Sequence, residues 1–179
     1  MADAVFTACF LNMANRNSDI IGMANYAPAV NTRGLIFTHK TGIVLRSTYH
    51  VFDMYVNKLG DTVLDTYVSD IPVLNFRNKE GNIVETPALD LLVTLDKDGL
   101  IALAAVNKDP VNKQSLRLAW SKEGIPNRCA IQTLSGSNPD SYNDIDRNDA
   151  VPNEALVREY KAEDEIGLPP HSVSIVKFS

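Results

Sequence analysis

The sequence predicts a mainly β fold: an antiparallel β-sandwich of jelly-roll type over residues 61–179, preceded over residues 1–60 by a helix-strand-helix piece of a parallel α/β layer. Three observations predict it. The hydrophobic period changes from helical to two at Gly60-Asp61. Leu89, Leu91, Val93 and Leu95 alternate with Asp90, Thr94 and Asp96 ahead of an Asp98-Gly99 turn, as in a hairpin. Residues 20–30, IIGMANYAPAV, are apolar on both faces, like a strand buried on both sides, yet the sequence offers that strand no parallel partner. The first segment therefore reads as cut from something larger.

In chain order, residues 3–15 read as an amphipathic helix, with Asp3 as N-cap and Phe6, Cys9, Phe10 and Met13 at helical spacing. The polar run 15–18 ends it. The doubly apolar strand follows at 20–30 with Pro28 near its end, and 34–42 is a connecting stretch. Ser47 or Thr48 is placed to cap a second helix whose Tyr49, Phe52, Tyr55 or Val56, and Leu59 share a face, and Gly60 is placed to end it. Residues 89–107 read as a hairpin with a four-residue loop, and further strands are expected at 62–68, 114–120, 128–134, 157–161 and 172–178. Residues 135–154, rich in Ser, Asn and Asp and without period, are expected to form a long surface loop.

Composition narrows the function classes. A chain of 179 residues with 45% hydrophobic and 22% charged residues is globular, which sets aside disordered, collagenous and membrane classes. A net charge of −5, from 17 Lys+Arg against 22 Asp+Glu, argues against nucleic acid as a partner. The N-terminus shows neither a signal peptide nor a spanning apolar run, so no membrane partner is expected and the compartment stays open.

Cys9 and Cys129 read as small buried apolar residues, and His39, His50 and His171 as separate hydrogen-bonding groups, so neither disulfide, metal nor cofactor is expected. Asp140, Asp144, Asp146 and Asp149 approach the spacing of a calcium loop but lack its glycine and terminal glutamate. Glu163-Asp164-Glu165 reads as a solvated turn and Ser135-Gly136-Ser137 as loop, without the strand-turn-helix setting of a serine nucleophile. Trp120, in register with Leu116 and Leu118, is expected in the core.

Three stretches carry a family resemblance. AVFTACFLNMANRNSDIIGMANYAPAVN (4–31) resembles the end of the catalytic barrel of family 51 glycoside hydrolases, the α-L-arabinofuranosidases; STYHVFDMY (47–55) resembles their last barrel helix and LPPHSVSIVKFS (168–179) the terminal strand of their C-terminal β-domain. The resemblance implies that residues 1–60 are the remnant of a (β/α)8 barrel and 61–179 the appended sandwich. It also implies that the two catalytic glutamates lie upstream, leaving no catalytic residue here. Asn153-Glu154 looks like the family's acid/base motif but falls inside the β-domain, and retaining hydrolysis needs two carboxyl groups about 5 Å apart; it is set aside.

Asn31 matches a family asparagine at the C-terminal end of the eighth barrel strand, which implies a substrate-side role behind the sugar-contacting residues. A turn-capping role into Gly34 is the alternative. Pro28 stands where many members carry a glutamine that touches arabinose, a departure from the pattern. The partners implied are the rest of the barrel, arabinose-containing polysaccharide through it, and a homo-oligomer. A different class of function, a carbohydrate-binding sandwich, would require Tyr142, Tyr160 or Trp120 exposed as stacking platforms.

Overall fold

The computed structural model describes residues 1–120 and 124–179. Helix α1 (Ala2–Arg16) leads through an irregular segment to the hairpin β1 (Ile36–His39) and β2 (Gly42–Leu45), then to α2 (Ser47–Lys58). Strands follow: β3 (Thr62–Leu64), β4 (Val73–Arg77), β5 (Ile83–Pro87), β6 (Leu89–Leu95), β7 (Ile101–Asn107) and β8 (Gln114–Leu116). β9 (Arg128–Ser135) precedes the two-residue strands β10 (Asn143–Asp144), β11 (Arg147–Asn148) and β12 (Val151–Pro152). The chain ends with β13 (Leu156–Glu159), β14 (Ile166–Leu168) and β15 (Ser172–Phe178).

The expected mainly β, antiparallel architecture is what the chain adopts. The main sheet runs β12-β9-β15-β7-β6-β3, with β13 also paired to β9. β15 lies between β7 and β9, from Ser172↔Asn107 to Phe178↔Ile101 on one side and from Val173↔Leu134 to Phe178↔Cys129 on the other. Its apolar residues therefore serve two layers. Val173 and Ile175 join Leu92, Ala104, Val106 and Leu134 under the helices, against Ala4, Ala8 and Leu11 of α1 and Val51 and Met54 of α2. The alanines on both partners let the helix axis approach the sheet closely. On the opposite face Val176 and Phe178 join Leu89 and Leu103 beneath Ile166 and Leu168. Trp120 closes that layer, its ring 5.1 Å from Phe178 and its Nε1 donating to the Tyr160 hydroxyl at 2.9 Å.

Several expectations need correction. Residues 20–30 form no strand; only Val30 bridges to Ile36, and Ile20 and Met23 are 78% and 76% exposed. A strand apolar on both faces needs neighbours on both edges, and this chain does not provide them. The face of α1 predicted to be buried points outward, because Ala4, Ala8 and Leu11 fit the sheet and leave Phe6, Phe10 and Met13 outside. The stretch 34–42 is not mere connection but contains β1 and the turn to β2. Neither Ser47 nor Thr48 caps α2: Arg46 occupies that position, and the two hydroxyl residues are buried in the first turn. Tyr55 is buried whereas Val56 is exposed, and Val51 and Met54 carry the rest of the helix face.

In the strands the alternation holds but its meaning changes. The Asp90, Thr94 side of β6 faces the helices, not water, and five residues separate Leu95 from Ile101 where four were expected. The strands expected at 62–68 and 114–120 stop at Leu64 and Leu116, while β4, β5 and β14 lacked a sequence signal.

A polar relay locks the helices to the sheet. The Tyr55 hydroxyl donates to Asn12 Oδ1 at 2.6 Å, Asn12 Nδ2 donates to Asp90 Oδ1 at 3.0 Å, and Arg16 donates to both Asp90 oxygens at 2.9 and 3.3 Å. Burial pushes the Tyr55 phenol well above its ordinary pKa and the Cys9 thiol beside it to about 11, so both stay neutral at physiological pH.

Gly60 N–H donates to Thr94 Oγ1 at 2.8 Å, and a Cβ there would stand 2.3 Å from the Leu95 carbonyl carbon. Gly60→Ala is expected to cost about 2 kcal/mol, seen as a lower urea midpoint at unchanged slope; an unchanged midpoint would show that the junction yields freely.

Asp109 accepts hydrogen bonds from the Val111 and Asn112 backbone N–H groups and the Asn112 side-chain amide, each at 2.9 Å. Burial pushes its carboxyl up, but these donors together with Gln114 outweigh that and hold it below its ordinary value. A depressed carboxylate contributes stability above its unfolded pKa of about 3.9 and loses it as pH falls through the folded value. Asp109→Asn is therefore expected to be less stable than the parent near neutrality, with the gap closing below about pH 4. Urea midpoints across pH read this, and a gap independent of pH contradicts it.

Candidate functional site

Asn31 lies in a left-handed turn at φ +58°. Its N–H donates to the Ile36 carbonyl at 2.7 Å, and its Oδ1 accepts from the Thr38 N–H at 2.8 Å and the Thr38 hydroxyl at 2.9 Å. The side chain thus braces β1 on the turn that precedes it. Asn31 and Pro28 are both exposed.

The other candidates separate. Asn153 exchanges backbone and side-chain hydrogen bonds with Thr133, at 3.0 and 2.7 Å, which ties the irregular turn between β12 and β13 to β9. Asp149 pairs with Arg147 and raises the guanidinium pKa, and no group of three His, Cys, Asp or Glu side chains converges among the described residues. Asp164 is held below its ordinary pKa by the Lys161 N–H and by Arg158, 2.8 Å away. His50 stacks edge-on against Tyr49, and burial lowers its pKa. Of the three aromatics a sugar platform would need, Tyr160 is only 2% exposed and Trp120 is in the core, while Tyr142 is 51% exposed.

Tyr142 brings the 135–154 loop into a site the sequence did not reveal. Asn143 beside it is buried: its amide donates to the Leu45 and Ala150 carbonyls, both at 2.9 Å, and its Oδ1 accepts the Ala150 N–H at 2.8 Å. The loop is thereby pinned against β2. Tyr142 and Asp144 then form one wall of an open cleft of about 630 Å³, opposite Asp3 and Phe6 of α1. Its floor comes from the 26–46 connection and the start of α2, including Tyr26, Arg33, Phe37 and Arg46. The Arg46 guanidinium lies 5.6 Å from the Phe37 ring centre, and Tyr26 stacks edge-on against Phe52 at 5.9 Å. Aromatic and arginine residues interleaved over 26–46 were the available signal. That stretch has no period, so alternation assigns it no element.

A second surface is the outer stripe of α1. Phe6, Phe10 and Met13, 73%, 48% and 38% exposed, recur at i, i+4 and i+7.

Comparison with known proteins assigns these features a context. The alpha-L-arabinofuranosidase C-terminal domain family matches residues 1–172. Similar curated proteins include a probable alpha-L-arabinofuranosidase C of Aspergillus niger, 24% identical over 99% of this chain and 34% of its own length, and alpha-L-arabinofuranosidase C of Emericella nidulans, 23% identical over the same shares. The chain thus spans about a third of the curated relatives it matches. Among solved structures, the GH51 α-L-arabinofuranosidase of Thermotoga petrophila superposes with a TM-score of 0.83 at 23% identity, covering 99% of this chain and 38% of that one. The arabinose complex of the Thermotoga maritima enzyme does so at 0.83 and 24%, covering 98% and 37%. At these identities the structures establish a shared fold.

Replacing Asn31 by Ala removes two acceptor contacts and places a side chain in a left-handed conformation that costs about 1 kcal/mol. Amide exchange at Thr38 is expected to accelerate about tenfold. Unchanged protection would mean the turn holds without this side chain.

Proposed function

The chain belongs to the α-L-arabinofuranosidase C-terminal domain family, and from that premise we propose that it is the closing third of a protein that removes terminal non-reducing α-L-arabinofuranosyl groups. In this reading residues 1–60 complete a catalytic (β/α)8 barrel and residues 61–179 are the sandwich packed on its last two helices. One upstream glutamate attacks the anomeric carbon while a second protonates the leaving oxygen, and the second then deprotonates the water that releases arabinose with retention. Neither glutamate lies in this chain. Its own task is to cover and brace the barrel, and arabinose-containing polysaccharide meets the protein at the barrel. Asn31 stands on the face where barrels place their active sites, fixing the β1-β2 hairpin behind the residues that touch sugar.

The observation that carries this proposal is apolar surface left bare. Phe6, Phe10 and Met13 form a stripe on α1, and Ile20 and Met23 in the segment that follows are exposed above 75%. Contiguous apolar surface of this kind marks a face that another structure covers. A barrel supplies that cover, with strands on both sides of 20–30 and the neighbouring helix along α1.

The chain alone is expected to show no turnover of an aryl α-L-arabinofuranoside, whereas the protein carrying its upstream barrel hydrolyses it with retention, followed by NMR of the released anomer. Enzyme-like turnover by the chain alone would overturn the proposal.

A further inference from the structure

We infer that the cleft between the first turns of α1 and α2 is a carbohydrate subsite that binds neutral sugar units of the polysaccharide next to the arabinosyl group being removed; the assignment rests on the barrel reading above. Three stretches far apart in sequence build it: the start of α1, the 26–46 connection with the start of α2, and the 142–144 segment of the sandwich. Its volume, about 630 Å³, falls within the range of small-molecule sites.

The lining chooses the ligand. Tyr26, Phe37 and Tyr142 offer rings of the kind that accept the C–H surface of a sugar, and Tyr142 is left largely exposed. Arg33 and Arg46 face Asp3 and Asp144 across the same space, and none of the four enters an ion pair among the described residues. Two positive and two negative charges cancel, so the cleft is built for neither an anion nor a cation. An apolar protein segment laid here would strand four charged groups away from water. A polyhydroxyl ligand satisfies them, because each hydroxyl both donates to a carboxylate and accepts from a guanidinium.

The wall contributed by the sandwich is organised in advance. Asn143 fixes the backbone through three hydrogen bonds, and the Arg147 guanidinium lies over the Tyr142 ring, 4.3 Å from its centre and paired to Asp149. A ligand therefore does not have to order this aromatic, which lowers the entropic cost of binding. Position supplies the last step. In a β/α barrel the helix N-termini and the strand C-termini share one face, the face of the active site. The cleft includes the first turns of both helices, Asp3 and Phe6 in α1 and Ser47 and Thr48 in α2.

Titration of the isotope-labelled chain with arabinoxylan oligosaccharides, followed by NMR, tests the inference. Saturable shifts are expected at Phe37, Arg46 and Tyr142. Tyr142→Ala should weaken binding about fivefold, as loss of one aromatic contact does, while Phe76→Ala on the β4-β5 hairpin binds like the parent. Shifts absent at the ligand's solubility limit, shifts confined to residues outside the cleft, equal affinity in Tyr142→Ala, or an equal response to inorganic phosphate would each overturn it. The barrel reading is tested apart, by hydrolysis of an aryl arabinofuranoside in the barrel-bearing protein, a substrate with no polysaccharide to fill the cleft. Turnover without cleft shifts overturns the subsite alone. Cleft shifts without turnover overturn its assignment beside an active site.

Discussion

The arrangement depends on the carboxylate of Asp90, which is where helix and sheet are joined by more than apolar contact. Asp90 sits on the helix-facing side of β6, where an unpaired charge would cost several kcal/mol. It is satisfied from α1 twice, by the Asn12 amide and by Arg16, and Asn12 is in turn held by the Tyr55 hydroxyl of α2. An exposed ion pair alone contributes little, and Arg16 is partly exposed. The buried amide and phenol change that, because losing either leaves a polar group without a partner in a dry layer. Apolar burial sets how tightly α1 and α2 lie on the sheet. The relay sets where along it they lie, since oil-like contact between alanines and leucines has no preferred register.

That register has consequences at both ends of the helices. Fixing Asn12 against Asp90 places the outer stripe of α1 away from the sheet and brings the first turns of α1 and α2 beside the 142–144 segment. One contact therefore has two results: α1 keeps an apolar face bare, and the polar, aromatic 142–144 segment meets the helix N-termini.

What the residues disclosed follows from what each signal measures. Period two in 89–107 and 172–178 reports two-layer packing within the chain, and those strands stand where the alternation placed them. Residues 20–30 carry an equally clear apolar signal, but beyond the bridge from Val30 to Ile36 no described strand pairs with them, so the pattern is legible and the strand it implies is not formed. In α1 the larger side chains drew attention to the wrong face: Phe6 and Phe10 outweigh Ala4 and Ala8 in any hydrophobicity reading, yet close packing on a sheet favours the small ones. The relay had no sequence signature, because Asn12, Tyr55 and Asp90 are joined only by the fold. Asn31 was legible through resemblance, but its brace to Thr38 had no signal in the sequence.

The 135–154 loop shows why absence of period is a weak guide to function. Its Ser, Asn and Asp residues were read as solvated, and most of the backbone is indeed irregular. But Asn143 uses its amide as a strand uses its backbone, donating to one carbonyl of β2 and to one within its own loop. Asn107 does the same beneath the 168–170 turn, donating to the Leu168 and Pro169 carbonyls. A buried asparagine replaces a missing ladder with three directed bonds, and so holds an irregular segment in one conformation without imposing the alternation that a strand would. Tyr142 and Asp144, two positions apart, share one side as strand neighbours would, and it is the inward-facing Asn143 between them that holds this short stretch in place, so that both line the cleft.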